Sequence, residues 1–194
     1  MIFVDGGSTD RSVKIASERG KVLSCVKGRA PQMNHGATCA TYSTLLFLHS
    51  DNKIDLDALL VIEDQVNKKN IIGSCFTQRI DNDKIIYRLI ETQGNIRARL
   101  SKVFYGDQGI FVKKDIFFKI GCFPNVPIME DVLFTKKLRT IGKTKMLQNK
   151  IHVSSRRWDN GGIVKTTLRY NLINIAFKLA VSLEKIKLLY EDSR

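Results

Sequence analysis

The chain opens with Met1-Ile-Phe-Val-Asp-Gly-Gly-Ser-Thr-Asp10, and this stretch decides the fold class. The apolar run Ile2–Val4 predicts a buried strand, and the two glycines after Asp5 predict a tight turn. One of the three polar residues that follow then caps a helix. This order places Asp5 at the carboxyl end of a strand, where ligands bind in open α/β sheets.

Strands and helices alternate along the rest of the chain. The patterns predict strands at residues 21–26, 45–49, 71–80, 109–112 and 145–153, and helices at 11–19, 33–43, 55–67, 87–102, 114–120, 130–141 and 164–190. This alternation predicts an α/β protein, a three-layer α/β/α sandwich with a mainly parallel sheet. We divide it into a domain at 1–163 and a C-terminal amphipathic helix at 164–194.

Composition is typical of a soluble globular protein. The chain has 194 residues, of which 43% are hydrophobic and 26% charged. Its four cysteines are far apart, without metal-ligand spacing, and no signal peptide is evident. These features favour reduced thiols in a cytoplasmic protein. No apolar run is long enough to predict a transmembrane helix.

Positive charge is concentrated in the second half of the chain. Residues 1–100 carry 14 Lys and Arg against 11 Asp and Glu, a net of +3, whereas residues 101–194 carry 18 against 8, a net of +10. This imbalance favours an anionic partner, either nucleotide phosphates or an anionic membrane. The alternative is a solvated basic surface. Nucleic acid is not expected, because the basic residues are dispersed and no recognition helix is evident.

The segment Val4–Asp10 resembles the nucleotide-binding turn of the family 2 glycosyltransferases, which have the GT-A fold. The resemblance implies that Asp5 contacts the base of a nucleotide-sugar and that Gly7 lies beside the nucleotide. Family members normally have a strand and a helix before this turn, and many have a second aspartate where this chain has Gly6. We therefore expect a GT-A domain that is truncated at its N-terminus and lacks part of the nucleotide pocket.

A second apolar strand delivers an acid at the end of Phe47-Leu-His-Ser-Asp51. The family has an Asp-x-Asp motif here, and its last aspartate binds a divalent cation that bridges the donor phosphates. The resemblance implies that Asp51 binds Mg²⁺ or Mn²⁺, which prefer hard oxygen ligands. His49 replaces the first aspartate. It is either a second metal ligand or a core residue.

A basic loop precedes the predicted helix at 33–43. Backbone amides and the helix dipole make such a segment a candidate anion site. Arg29 is placed to contact a phosphate or the base, and Gln32 to form a hydrogen bond nearby. The alternative is a solvated loop.

An acidic pair, Glu130-Asp131, opens the helix at 130–141. Favourable interaction with the helix dipole would explain it alone. The resemblance implies more, since family members have such a pair after a Gly-Gly-Phe-type turn, here Gly121–Phe123. Asp131 is then the general base that takes the acceptor proton, and Glu130 either supports it or binds the acceptor. Asp107 and Gln108 are expected near the donor and acceptor sugars.

The segment Ser154-Ser-Arg-Arg-Trp158 resembles a motif that follows the catalytic core of related transferases. Arg156 and Arg157 are candidates to stabilise the leaving diphosphate. Trp158 either stacks on a sugar ring or belongs to the core.

Taken together, the resemblance implies a glycosyltransferase that moves a sugar from a nucleotide-diphosphate-sugar to a hydroxyl acceptor, with inversion and with a divalent cation. Two alternatives stay open. One is a sugar-phosphate nucleotidyltransferase, which shares the sheet architecture. The other is a truncated or degenerate nucleotide-binding domain without activity.

The C-terminal helix carries leucines and isoleucines at helical spacing among basic residues. The spaced positions are Leu168, Leu172, Ile175, Leu179 and Leu183. Such a helix can lie on an anionic membrane, at the inner face, where a lipid-linked acceptor would also be found. The alternatives are packing on the domain core or on a second copy of the chain.

Overall fold

The structure is a computed structural model that describes residues 1–191. It contains the predicted strands and helices in order, together with a short strand at 53–54 and a short helix at 156–161 that the sequence did not predict. They are β1 (Ile2–Asp5), α1 (Ser12–Ser17), β2 (Lys21–Ser24), α2 (Arg29–Cys39), β3 (Thr44–Phe47), β4 (Lys53–Ile54), α3 (Ala58–Lys68), β5 (Gly73–Ile80), α4 (Ile85–Ser101), β6 (Ile110–Lys113), α5 (Lys114–Lys119), α6 (Glu130–Ile141), β7 (Thr144–Val153), α7 (Arg156–Gly161), α8 (Ile163–Lys178) and α9 (Leu183–Glu191). A 3₁₀ turn, Gly106–Gln108, precedes β6.

The strands form two sheets. β1 and β2 pair in parallel, and the other five strands form a sheet in the order β3-β6-β5-β7-β4. Within the larger sheet only β5 and β7 are parallel, whereas β6 runs antiparallel to both β3 and β5, and β4 antiparallel to β7. The sheet is therefore mixed, and the expectation of mainly parallel pairing is wrong. Alternation of strands and helices predicts the layers but does not determine the direction in which each strand returns.

Helices cover both faces of the larger sheet, which confirms the three-layer arrangement. Along β6, Ile110 and Val112 pack with residues of α2, α5 and α6, and the intervening Phe111 packs with α3. This alternation follows from the twofold repeat of side chains along a strand.

Helix α2 begins at Arg29, four residues before the predicted start at 33. Pro31 marked this segment as a loop in the sequence. In the structure Pro31 lies in the first turn of α2, where a missing N–H costs nothing because that group has no partner within the helix. Arg29 and Gln32 are therefore on a helix, and the prediction that this basic segment is a loop is wrong.

The single C-terminal helix predicted at 164–190 is instead two helices, α8 and α9. Ala180 adopts a left-handed backbone with φ of +57° between them, and α9 folds back on α8. Ile186 of α9 is fully buried against Ile173 and Ala176 of α8. This burial favours the break over continuation of the helix. Residues 192–194 of the predicted C-terminal segment lie outside the described residues.

The division at residue 163 stays a prediction. α8 does begin at Ile163, but Tyr170 of α8 packs on Trp158 of α7, so the two segments share a core cluster. None of the described helices combines the length and the apolar character that a membrane span requires.

Candidate active site

Asp131 lies in the first turn of α6, and both of its carboxylate oxygens accept backbone hydrogen bonds. Its Oδ2 accepts from the Gly106 N–H at 2.6 Å and its Oδ1 from the Val132 N–H at 2.7 Å. Each oxygen still has a free lone pair. Burial raises the pKa of the Asp131 carboxyl, against the opposing effect of these amides. The side chain is thus held in one orientation and keeps the capacity to accept a proton.

The chain enters α6 through a strained residue. Met129 has a left-handed backbone with φ of +67°, which is unusual for a residue with a side chain. Such conformations persist where the surrounding structure enforces them, and they cluster at functional sites. This strain lies directly before Glu130 and Asp131.

Gly106 separates Asp131 from His49. A Cβ atom at Gly106 would lie 2.9 Å from His49 Nε2 and 3.3 Å from Asp131 Oδ2. Only glycine fits here without displacement of a neighbouring side chain. The sequence analysis did not identify Gly106 as a site residue. The signal that could have indicated it is the pair of glycines, Gly106 and Gly109, close to Asp107.

His49 is half-buried among acidic groups. Burial lowers its pKa, and the charges of Asp107, Asp131 and Asp51 oppose that effect without reversing it. Burial thus favours the neutral imidazole, which has a nitrogen lone pair. Asp107 in turn accepts a hydrogen bond from Gln78 Nε2 at 2.9 Å.

The described residues contain no group of three or more His, Cys, Asp or Glu side chains placed to hold a metal. His49 and Asp51 nevertheless fit a cation bound mainly by its substrate. Mg²⁺ at phosphate sites takes one or two protein ligands and completes its shell with phosphate oxygens and water. Neutral imidazole and exposed carboxylate supply two such ligands.

Arg29 connects the start of α2 to the acidic pair. Its Nη1 lies 3.5 Å from Glu130 Oε1, and Glu130 is only 2% exposed. Burial raises the pKa of the Glu130 carboxyl, and the guanidinium of Arg29 opposes that effect. The structure thus brings a predicted phosphate-binding cation beside the predicted catalytic acids.

Tyr190 of α9 lies between two arginines of the site. Its Oη accepts hydrogen bonds from Arg29 Nη2 at 2.6 Å and from Arg157 Nη1 at 2.5 Å. Both guanidinium carbons also lie close to the ring, at 5.3 and 5.5 Å from its centroid. Two guanidinium groups that point at one oxygen form an arrangement suited to phosphate. No local sequence signal distinguished Tyr190 from an ordinary helix residue.

Asp5 orders the first turn. Its carboxylate accepts hydrogen bonds from the Gly7 N–H at 2.9 Å and from the Ser8 N–H and hydroxyl. These bonds, the Ser8 hydroxyl first, lower the pKa of Asp5. Gln32 Nε2 donates to the Val4 carbonyl at 2.7 Å and ties β1 to α2. The turn is connected in this way to the helix that carries Arg29.

Two other predicted residues lie inside the fold. Trp158 is 8% exposed and makes edge-to-face contacts with Tyr87 and Tyr170, which favours the core interpretation. Gln108 is 1% exposed, and its Oε1 accepts the Tyr105 N–H at 3.2 Å. Gln108 thereby orders the turn that carries Gly106.

Arg156 is exposed at the start of α7. Its role at the diphosphate, like the sugar-binding roles of Gln108 and Asp107, stays a prediction.

The fold is that of the GT-A glycosyltransferases. S. aureus TarS 1–349 in complex with UDP-GlcNAc superposes with a TM-score of 0.59 at 17% identity, over 79% of this chain and 48% of TarS. The mannosyltransferase PcManGT from Pyrobaculum calidifontis, in complex with GDP-Man and Mn²⁺, superposes with a TM-score of 0.60 at 17% identity. The superposition covers 78% of this chain and 46% of PcManGT. Glucosyl-3-phosphoglycerate synthase from Mycobacterium tuberculosis, in complex with Mn²⁺, UDP-Glc and phosphoglyceric acid, superposes with a TM-score of 0.52 at 14% identity. The superposition covers 78% of this chain and 58% of the synthase.

The chain belongs to glycosyl transferase family 2, whose family model matches residues 1–124. It spans about half the length of the structures compared above, between 46% and 58%. Comparison with curated protein sequences gives no match.

Proposed function

We propose that this protein transfers a sugar from a nucleotide-diphosphate-sugar to a hydroxyl acceptor. The observation that carries the proposal is the convergence of Asp131, Glu130 and Arg29 beside the Gly106 turn. Family membership supports it, as do the nucleotide-sugars bound to the structural neighbours.

In the proposed reaction Asp131 accepts the proton of the acceptor hydroxyl as that oxygen attacks the anomeric carbon. The bond between the anomeric carbon and the diphosphate oxygen breaks, and the nucleoside diphosphate leaves with the electron pair. Attack from the opposite face in one displacement inverts the anomeric centre. The raised pKa of Asp131 suits a general base, and Arg29 and Arg157 stabilise the charge on the leaving group.

We propose Asp51 and His49 as the protein ligands of Mg²⁺ or Mn²⁺. When bound, the cation neutralises charge on the diphosphate. The Mn²⁺ in two of the neighbouring structures supports this part of the proposal.

The function is tested by isothermal titration with a panel of nucleoside diphosphates in Mn²⁺. Hydrolysis or transfer is then assayed with the sugar donor of each nucleotide that binds. We expect at least one nucleotide to bind and its donor to be turned over. Absence of binding across the panel would contradict the proposal.

Asp51→Ala should reduce Mn²⁺-dependent nucleotide affinity by about tenfold or more, because it removes one of only two protein ligands. The thermal midpoint without nucleotide should stay within a few degrees of wild type, since Asp51 is exposed. Asp64→Ala is the matched control, because it removes an exposed carboxylate on α3 that pairs with Lys68. Equal Mn²⁺-dependent affinity in both variants would remove Asp51 from the metal site.

Tyr190→Phe should raise nucleoside diphosphate affinity by roughly two- to tenfold. This is the change in affinity expected when a ligand no longer has to break one or two hydrogen bonds within the protein. A diphosphate that takes the donors of Arg29 and Arg157 must displace the Tyr190 hydroxyl, which already accepts from both. The same titration measures the change, with the exposed Tyr42→Phe as control. Weaker binding by Tyr190→Phe would show that the hydroxyl assists the nucleotide instead.

We also propose a cytoplasmic enzyme whose hydroxyl acceptor is lipid-linked, so that it works at the inner face of a membrane. The support is the net positive charge of the second half of the chain and the exposed apolar stripe of α8. A second copy of the chain is the alternative partner for that stripe.

A further inference from the structure

Helices α4 and α8 each present a row of exposed large apolar side chains. Every side chain in these rows is between 51% and 79% exposed. We name the combined surface the α4–α8 face. It consists of Ile85, Leu89, Ile96 and Leu100 on α4 and of Val164, Leu168, Leu172, Ile175 and Leu179 on α8.

The two rows lie side by side. Gln93 Nε2 on α4 donates to Asn171 Oδ1 on α8 at 3.3 Å. An α-helix has about 3.6 residues per turn, so the direction of each side chain around the helix axis follows from its position. Gln93 and Asn171 each point within about 60° of the centre of the apolar row on their own helix. Both rows therefore flank the same hydrogen bond and form one surface. Behind it, Trp158 makes edge-to-face contacts with Tyr87 of α4 and Tyr170 of α8 and so connects the two helices.

The face carries no exposed negative charge. α8 contains no Asp or Glu, and α4 contains only Glu91, which is 6% exposed and pairs with Arg88 at 2.9 Å. Exposed cations border the rows instead, namely Arg99 on α4 and Lys165 and Lys178 on α8. An apolar surface with a cationic border is the arrangement that binds the interface of an anionic bilayer.

We propose that the α4–α8 face docks on an anionic phospholipid bilayer. Contiguous apolar surfaces of this kind are rare on monomers and mark interaction sites. A second copy of the chain fits less well, because a twofold contact would bring cationic borders together with no exposed acid on either face. Lipid binding needs no turnover, so this proposal can fail or succeed separately from glycosyl transfer.

One side of α8 is buried, so deletion of the helix cannot test the α4–α8 face. Ile173 and Ala176 on the opposite side of α8 belong to a buried cluster. Deletion of α8 would therefore disrupt the fold. Substitutions of exposed side chains, one on each helix, leave that cluster intact.

The test is vesicle co-sedimentation of the whole chain with phosphatidylcholine alone and with an equimolar mixture of phosphatidylcholine and phosphatidylglycerol. We expect binding to the anionic vesicles only, weakened by salt through screening. The double variant Leu89→Ser/Leu172→Ser should lower the partition coefficient roughly tenfold or more, because two leucines no longer enter the bilayer. The control is Leu59→Ser/Leu60→Ser, a matched pair of exposed leucines on α3 that should bind as wild type does.

Three results would overturn the proposal. The wild-type chain could stay in the supernatant with anionic vesicles at low salt. Both double variants could bind equally well, which would assign binding to another basic surface. Sedimentation velocity could show a dimer that Leu89→Ser/Leu172→Ser dissociates, without lipid binding, which would make the face a contact between copies. Thermal midpoints near wild type establish that the variants are folded.

Discussion

Asp131→Asn should lower turnover by roughly 10²-fold or more, the usual contribution of a general base, while donor affinity is retained. The amide is nearly isosteric with the carboxylate, and its one oxygen can still accept the Gly106 N–H. It cannot take the acceptor proton. The loss should therefore appear in turnover at saturating donor and not in nucleotide binding by titration.

Asp64→Asn is the control for this experiment, because its carboxylate lies on α3, where it pairs with Lys68 at 2.9 Å and accepts a hydrogen bond from Gln65 Nε2 at 3.4 Å. It should leave turnover unchanged. If Asp131→Asn keeps more than about half of wild-type turnover, far above a general-base effect, Asp131 is not the base. Glu130 and Asp107 then become the candidates.

The contacts of the two adjacent acids favour Asp131 over Glu130. Glu130 is 2% exposed and faces the guanidinium of Arg29, which stabilises its charged form. Asp131 is held mainly by neutral backbone amides. Burial raises the pKa of both carboxyls, so the contacts distinguish them. A carboxylate that is oriented by amides, and not engaged by a guanidinium, is the better proton acceptor.

Local signals in the sequence predicted the parts of the fold that depend on neighbouring residues. The acidic pair at the start of α6 and Gly142 just after its end predicted its bounds, Glu130–Ile141, correctly. The turn after β1 was predicted for the same reason, since Asp5 and the residues that donate to it lie within three positions. These features need no tertiary contact.

Features that depend on distant contacts could not be predicted in this way. Tyr190 and Arg29 are 161 positions apart, and only the fold-back of α9 brings them together. The break at Ala180 has no glycine or proline to mark it and depends on the burial of Ile186. The choice between core and site for Trp158 likewise required the positions of Tyr87 and Tyr170.

Gly106→Ala should also lower turnover by about 10²-fold, although it adds only a methyl group and removes no catalytic side chain. The new Cβ would lie 2.9 Å from His49 Nε2 and 3.3 Å from Asp131 Oδ2, so one of these groups must move. A displacement of about 1 Å at a reacting group is sufficient for a loss of this size. The hydrogen bond that holds Asp131 comes from the Gly106 N–H itself, so the carboxylate and the turn would shift together.

Gly94→Ala is the matched control, because its Cβ on α4 would meet only Gln78 Oε1 of β5, at 3.4 Å, which is an ordinary contact distance. Alanine is the better helix former, so this variant should be as stable as wild type or more stable, with unchanged turnover. Thermal midpoints and steady-state rates of both variants separate a site effect from a folding defect. Full turnover in Gly106→Ala would mean that His49 and Asp131 need not hold the positions the structure shows. A loss in Gly106→Ala alone, with the fold retained, would identify the close approach of these two side chains as a requirement of the reaction.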